Sequence, residues 1–269
     1  MQLAVSLEEL IQEAINMEMY AMSDTGRQRE INQDCFEMRN ISGFDFYVVA
    51  DGMGGHLGGE VASNLSIASF FDYLDVFLND KNFKPENIGE VLGDAVRVSN
   101  SEVFVQSTKK YEHSNMGTTF TVVCIYRNNA HICHVGDSRV YLFREGVLIQ
   151  KTIDHTYANE LFLAGEITQQ EAEESLKKHI LTRALGTELT LEIDSYLLQL
   201  KNDDKILICS DGLSNMVKNF EIKNILEEEE NTKSATERLI NLANFYGGHD
   251  NITVILIDMK NINFIGGEI

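Results

Sequence analysis

The residues best placed to do chemistry are aspartates at the ends of apolar runs. Tyr47-Val48-Val49-Ala50 leads into Asp51-Gly52, and Ile206-Leu207-Ile208-Cys209-Ser210 leads into Asp211-Gly212. His131-Ile132-Cys133-His134-Val135-Gly136 ends at Asp137, whereas Asp250-Asn251 opens Ile252-Thr253-Val254-Ile255. Three runs enter an aspartate and one leaves it. If the last strand is antiparallel to its partners, all four carboxylates meet at one edge of the sheets. Unpaired carboxylates gathered in this way repel one another and raise their own pKa values, so the cluster calls for cations. The ligands are hard oxygens, with no His/Cys group at metal spacing, which favours magnesium or manganese over zinc. Glycine after Asp51 and Asp211 permits a tight turn and close backbone approach, and Gly52 can offer its carbonyl oxygen as a ligand. A single Asp-Gly pair after a strand is ordinarily a turn. Four aspartates with this placement together suggest more.

Two such ions about 3.5–4 Å apart suit phosphoryl hydrolysis, because they bind phosphate oxygens and make hydroxide available near neutral pH. No protein nucleophile is then needed. The chain indeed has no G-x-S-x-G elbow.

The elements that must position these residues are legible in outline. Strand-like runs rich in Val, Ile, Thr, Tyr and Phe cover 44–50, 118–127, 130–135, 139–143, 193–200, 205–209 and 252–258. Helical stretches cover 59–78, 86–109 and 233–245, the last after a solvated run of four glutamates, Glu227–Glu230. Runs as close as 118–127 and 130–135 leave no room for a helical crossover and predict antiparallel hairpins. The pattern predicts an α+β domain with helices covering packed sheets. Ahead of it, residues 6–15 place Leu7, Leu10, Ile11, Ala14 and Ile15 on one helical face, with Ser6 and Glu9 at capping-box spacing. This helix packs on its own domain or, alternatively, docks a partner. Pro85 is the only proline and no Pro/Gly/Ser linker divides the chain, so one domain is expected.

Composition narrows the partners. Asp and Glu number 42 against 22 Lys and Arg, a balance that argues against nucleic acid or an anionic membrane as the main partner. No apolar stretch approaches the ~18–20 residues of a membrane span, and the N-terminus lacks a signal-peptide pattern. Cys35, Cys124, Cys133 and Cys209 form no C-x-x-C pair, and all but Cys35 sit in apolar runs. A reducing cytoplasm, with neither disulfides nor zinc, is expected.

Seven motifs then occur in order: S-D-T-G-R-Q-R-E-I-N-Q-D at 23–34, D-G-M-G-G-H at 51–56, M-G-T-T at 116–119, G-D-S-R at 136–139, T-R-A-L-G at 182–186, S-D-G-L at 210–213 and D-N-I-T at 250–253. Together they closely resemble the bacterial branch of the metal-dependent PP2C-type (PPM) serine/threonine protein phosphatases, over about residues 20–258. The resemblance implies a four-layer α-β-β-α sandwich of two antiparallel sheets flanked by helices. It implies that Asp51 bridges two Mn2+ or Mg2+ ions, that the Gly52 carbonyl serves the second, and that Asp211 and Asp250 complete the first. Asp34 would act through metal-bound water and help orient the nucleophile. Asp137 with Asp211 resembles a third metal site, and Arg29 matches the phosphate-binding arginine. The implied partners are phosphoserine and phosphothreonine proteins and an opposing Ser/Thr kinase, with a monomeric enzyme.

On this reading residues 1–19 are an extension, 20–258 the catalytic domain and 259–269 a tail. Residues 154–185 resemble the family's flap, with the amphipathic stretch Gln169–Lys178 inside it and a role in substrate selection and control of the third metal. Met53 stands where many eukaryotic relatives carry histidine, and Gln33 where many members carry an acid. His56 is nearby but not equivalent to the missing histidine. His131 and His134 fall within a strand and read as core or sheet-face residues. His155 and His249 adjoin key motifs, and Thr118 and Thr119 read as structural. The competing function is a catalytically silent relative that acts as a binding module. A nucleotide-binding reading of the glycines at 52–59 fails, since Leu57 occupies the third glycine position of G-x-G-x-x-G.

Overall fold

The computed structural model describes residues 17–109 and 116–260. The strongest strands are those whose both faces are apolar. β5 (Phe120–Tyr126), β6 (Asn129–Val135), β10 (Lys205–Cys209) and β11 (Ile252–Met259) lie inside their sheets. Every residue of β11 is buried. β3 (Phe44–Met53) and β7 (Arg139–Arg144) are likewise interior. One five-stranded sheet runs β1-β11-β10-β7-β8, adding β1 (Met17–Asp24) and β8 (Val147–Gln150). A six-stranded assembly runs β2-β3-β5-β6-β9, with β2 (Asp34–Ile41), β9 (Asp194–Gln199) and the two-residue β4 (Gly117–Thr118) beside β3. All these pairings are antiparallel, including the 120–126/129–135 hairpin.

Side chains alternate between the faces of a strand, and the alternation builds three layers of core. Val49, Ile125, Ile208 and Ile255 point between the sheets. Phe46, Val48 and Val122 point outward from the six-stranded sheet onto α1 (Gly55–Leu78) and α2 (Ile88–Lys109). Leu207, Val254 and Leu256 point outward from the other sheet onto α6 (Asn219–Glu228) and α7 (Thr232–Phe245). The result is the expected four-layer α-β-β-α sandwich. The expected helix at 233–245 is α7, and the acidic run begins at the last turn of α6.

Residues 58–78 of α1 are long and apolar enough on average to cross a membrane. Packing gives them another role, because Phe70, Phe71 and Leu74 are at most 1% exposed against the sheet. Truncating a buried phenylalanine of this kind costs about 3–5 kcal/mol.

The sheet extends beyond the expected limits of the domain at both ends. β1 pairs with β11 from Met17↔Met259 to Asp24↔Ile252, so residues 17–19 and 259 are sheet residues rather than extension or tail. The backbone ladder carries them there even though Met19 is exposed. The amphipathic stretch at 6–15 lies outside the described residues. All four cysteines are free thiols, three of them buried.

The segment 154–185 carries two short helices, α3 (Tyr157–Leu163) and α4 (Gln169–Glu174). Thr168 and Glu171 form a capping box at the start of α4. The helix stops at Glu174 rather than continuing to Lys178. Ala172 is its only buried residue, so little packing supports further turns, and Leu176 is 97% exposed.

Candidate active site

Antiparallel pairing brings the strand ends together. Asp51 lies at the end of β3, and Asp34, at the start of β2, is its direct partner in the ladder. Asp137 follows β6 after the Gly136 turn. Asp211 follows β10 as the first residue of α5 (Asp211–Ser214), and Asp250 precedes β11. Because β10 and β11 are antiparallel, the end of one and the start of the other fall at the same edge.

Asp51, Asp137, Asp211 and Asp250 line one cavity of about 740 Å³, together with Arg29 and Gly52. Asp34 stands behind this wall. Its Oδ2 accepts hydrogen bonds from the Ser210 and Thr253 hydroxyls at 2.7 Å each, while its Oδ1 is buried without a partner. Asp211 Oδ2 accepts from Asn215 Nδ2 at 2.9 Å, and its Oδ1 is also buried without a partner. Asp250 accepts from the Asn251 amide at 2.9 Å and from Arg29 Nη2 at 2.7 Å.

Burial and charge repulsion together raise the carboxyl groups of the cluster. Burial first, then the Asp211 and Asp250 carboxylates, push Asp34 up to about 7 against the opposing hydroxyl bonds. Burial, reinforced by Asp34, Asp211 and Asp137, holds Asp51 well above the ordinary carboxylate range. Asp137 is raised by burial and Asp211, with Arg139 opposing. Asp250 is raised by burial and Asp211, with Arg29 opposing.

The scaffold behind the aspartates explains the motif residues. Asp51 N donates to Thr119 Oγ1 at 2.9 Å, and Asp51 O accepts from Thr119 N and from Thr118 Oγ1. Both threonines hold the Asp51 backbone, and Thr119 also lines the cavity. Asn251 threads the arginine-bearing loop: its Oδ1 accepts from Gln33 N, and its Nδ2 donates to Thr25 O and Ile31 O. A Cβ on Gly212 would sit 1.9 Å from Asn251 O, and one on Gly52 would sit 2.1 Å from Gly59 O. Only glycine permits these two backbone approaches.

His134 is fully buried, held between Thr121 Oγ1 at 2.9 Å and Ile153 O at 3.1 Å, and is a core histidine as expected. His249 is exposed, and the His56 side chain lies outside the described residues. The roles of Ser210, Thr253, Asn215 and Asn251 are not apparent from the sequence, although three of them lie inside quoted motifs. His179 was also missed. It lines the cavity from the flap, with Nδ1 3.9 Å from Asp211 Oδ2. Nothing near it in the chain marks it out.

The residue pattern of the family described as Protein phosphatase 2C matches residues 25–253. The chain belongs to the protein phosphatase 2C family. It is 36% identical over 239 residues to the serine/threonine phosphatase Stp of Listeria monocytogenes, covering 88% of this chain and 93% of that protein. The Streptococcus agalactiae serine/threonine phosphatase superposes with a TM-score of 0.83 at 33% identity, covering 90% of this chain and 99% of that one. The catalytic domain of the phosphatase PstP, in complex with two manganese ions, superposes at 0.78 with 34% identity, covering 91% and 99%. The chain is thus a protein phosphatase of a metal-dependent family, with the fold that the ordered motifs implied.

The residues fit divalent cations. The donors are carboxylate oxygens, two of them buried without partners, and the carboxyl groups are strained by mutual repulsion. In the present side-chain conformers, among the described residues, no three His, Cys, Asp or Glu side chains close on a single point. Arg29 and Asn215 instead hold oxygens of Asp250 and Asp211.

Proposed function

We propose that the protein hydrolyses phosphoserine and phosphothreonine in proteins, with two or three Mn2+ or Mg2+ ions held by Asp51, Asp211, Asp250, Asp137 and the Gly52 carbonyl. The convergence of four aspartates from two sheets on one cavity carries this reading. Divalent cations there supply charge neutralisation and activation of water. Arg29 reaches the mouth of the cavity on the 25–33 loop. Its guanidinium is about half exposed and suits two phosphate oxygens once it exchanges Asp250 for substrate. Asp34, fixed by Ser210 and Thr253, keeps its free Oδ1 as an acceptor to orient water behind Asp51. The flap, carrying His179 and Leu181 to the cavity wall, is placed to contact the residues flanking the phosphorylated side chain. A kinase acting on the same proteins would be its functional opposite. Four free thiols fit a reducing cytoplasm.

Phosphate release from a phosphothreonine peptide tests this. Release is expected with Mn2+ and its loss with chelator. Absence of release with Mn2+ demonstrably bound by calorimetry would instead support a silent binding module.

A further inference from the structure

The G-D-S-R turn and the D-H pair at 154–155 are joined by two rungs. In the first, Arg139 Nε and Nη2 fork onto the Asp154 carboxylate at 2.6–3.0 Å. In the second, His155 grips Gly136 on both sides of its peptide. His155 N donates to Gly136 O at 2.8 Å, and Gly136 N donates to His155 Nδ1 at 3.1 Å.

The second rung fixes the tautomer. Nδ1 accepts an amide proton, so Nε2 carries the hydrogen of the neutral ring. Nε2 lies 3.3 Å from Asp194 Oδ2. Asp194 is itself held by Arg183 Nη1 at 3.0 Å and the Tyr196 hydroxyl at 2.8 Å. Arg183 Nη1 donates to Asp194 and also lies 3.3 Å from His155 Nε2, a contact that is not a hydrogen bond while Nε2 carries the proton. His155 is 4% exposed, burial lowers it from the ordinary histidine range, and the acceptor role of Nδ1 requires the neutral ring.

Gly136 cannot be held more simply. Its φ is +110°, and a Cβ there would meet Thr119 at 2.5 Å. Thr119 in turn fixes the Asp51 backbone. The same histidine also anchors the flap. His155 O accepts from Thr182 N at 2.9 Å, and the next residue bridges to Leu181, so the two ends of the flap close on it.

We infer that His155, oriented by Asp194, is the positioning residue that sets the Gly136–Asp137 turn and ties the base of the flap to the Asp137 carboxylate. The inference rests on the proposed metal role of Asp137. It adds a carboxylate-histidine pair that acts through the backbone of the residue before the ligand.

The test uses the full chain. His155→Phe keeps the ring volume and removes the acceptor, while His155→Asn keeps an acceptor near the Nδ1 position. In metal-free protein, His155→Phe is expected to speed amide exchange at Gly136 about ten-fold or more, with His155→Asn recovering most of the protection. By calorimetry, His155→Phe is expected to weaken the weakest Mn2+ binding event about ten-fold, the range seen for groups that orient ligands. The kcat on a phosphothreonine peptide should fall about as much, with KM within about two-fold. In an Asp137→Ala background, His155→Phe should change neither Mn2+ binding nor kcat further. Unchanged Gly136 exchange, or equal losses in both backgrounds, overturns the inference. If Asp137→Ala alone leaves Mn2+ binding intact, the metal role of Asp137 fails and the inference falls with it. If Asp137→Ala weakens Mn2+ and His155→Phe does not, only the inference fails. Should His155→Phe not fold, Asp194→Asn is read in the same assays against the same outcomes.

Discussion

Asp34 and Asp51 stand directly opposite each other across β2 and β3, so their side chains leave the same face of the sheet. The scaffold treats them differently. Asp34 receives two hydroxyl donors on its carboxylate, whereas Asp51 is secured through its backbone by Thr118 and Thr119. Ser210 and Thr253 come from the other sheet, so the Asp34 carboxylate ties the two sheets together at the site.

Asp51→Asn separates function from stability. Turnover of a phosphothreonine peptide should fall at least about 10³-fold, the equivalent of several kcal/mol of lost charge stabilisation. In chelator the same change removes a buried charge that four other aspartates oppose. The metal-free melting temperature should therefore rise, by about 2–4 °C for each kcal/mol of relieved repulsion. Near-normal turnover in the variant would refute the bridging role.

The pH dependence of the metal-free protein has a defined sign. Asp34, raised to about 7, and Asp51, Asp137 and Asp250, also raised, bind more protons folded than unfolded. Stability from these groups falls as pH rises from the ordinary carboxylate range through their folded values. Buried His134, lowered to about 3, and the lowered His131 and His155 act in the opposite direction. They do so only below the unfolded histidine value of about 6.5. Between pH 6.5 and 8, urea unfolding in chelator should thus show falling stability. Asp51→Asn and added Mn2+ should each flatten the slope. A rising profile would contradict the electrostatics of the cluster.

Thr119→Val keeps the shape and removes one hydroxyl. The Asp51 amide loses its acceptor and Ser138 Oγ loses a partner at 2.9 Å. An unsatisfied buried group costs about 1–3 kcal/mol, which urea unfolding would resolve. Turnover should fall alongside stability, because the backbone of Asp51 loosens.

Two glycine substitutions should diverge. Gly212→Ala places a methyl 1.9 Å from Asn251 O and should destabilise the protein and displace the Arg29 loop that Asn251 threads. Gly89→Ala in α2 meets only an ordinary contact, 3.5 Å from His131 Nδ1. It should stabilise the protein by up to about 1 kcal/mol. Equal effects on thermal melting would argue against the close approach at Gly212.

The strands most legible in the sequence were those buried on both faces. β5, β10 and β11 are nearly continuous apolar runs and were found within a few residues. β1, β2 and β8 are edge strands with mixed, half-exposed sequences such as Met17-Glu18-Met19-Tyr20, and local composition does not distinguish them from loops. α6 was missed because its apolar positions, Ile222, Ile225 and Leu226, are few and interrupted by charge. At the site, strand-end position exposed Asp51, Asp137, Asp211 and Asp250. Asp34 and Arg29 were reached only through the ordered motifs.

The sequence by itself determined the donor types, the apolar periods that build the two sheets, and the order of motifs that marks the family. These are local or linear properties, written residue by residue. The tertiary structure alone decided which aspartates share a cavity and that Asp34 sits behind it, held by hydroxyls from the other sheet. It also decided that Arg29 meets Asp250, 221 residues away, and that His155 holds the turn before Asp137. Such contacts depend on strand register and sheet-on-sheet packing, which no short window of sequence specifies.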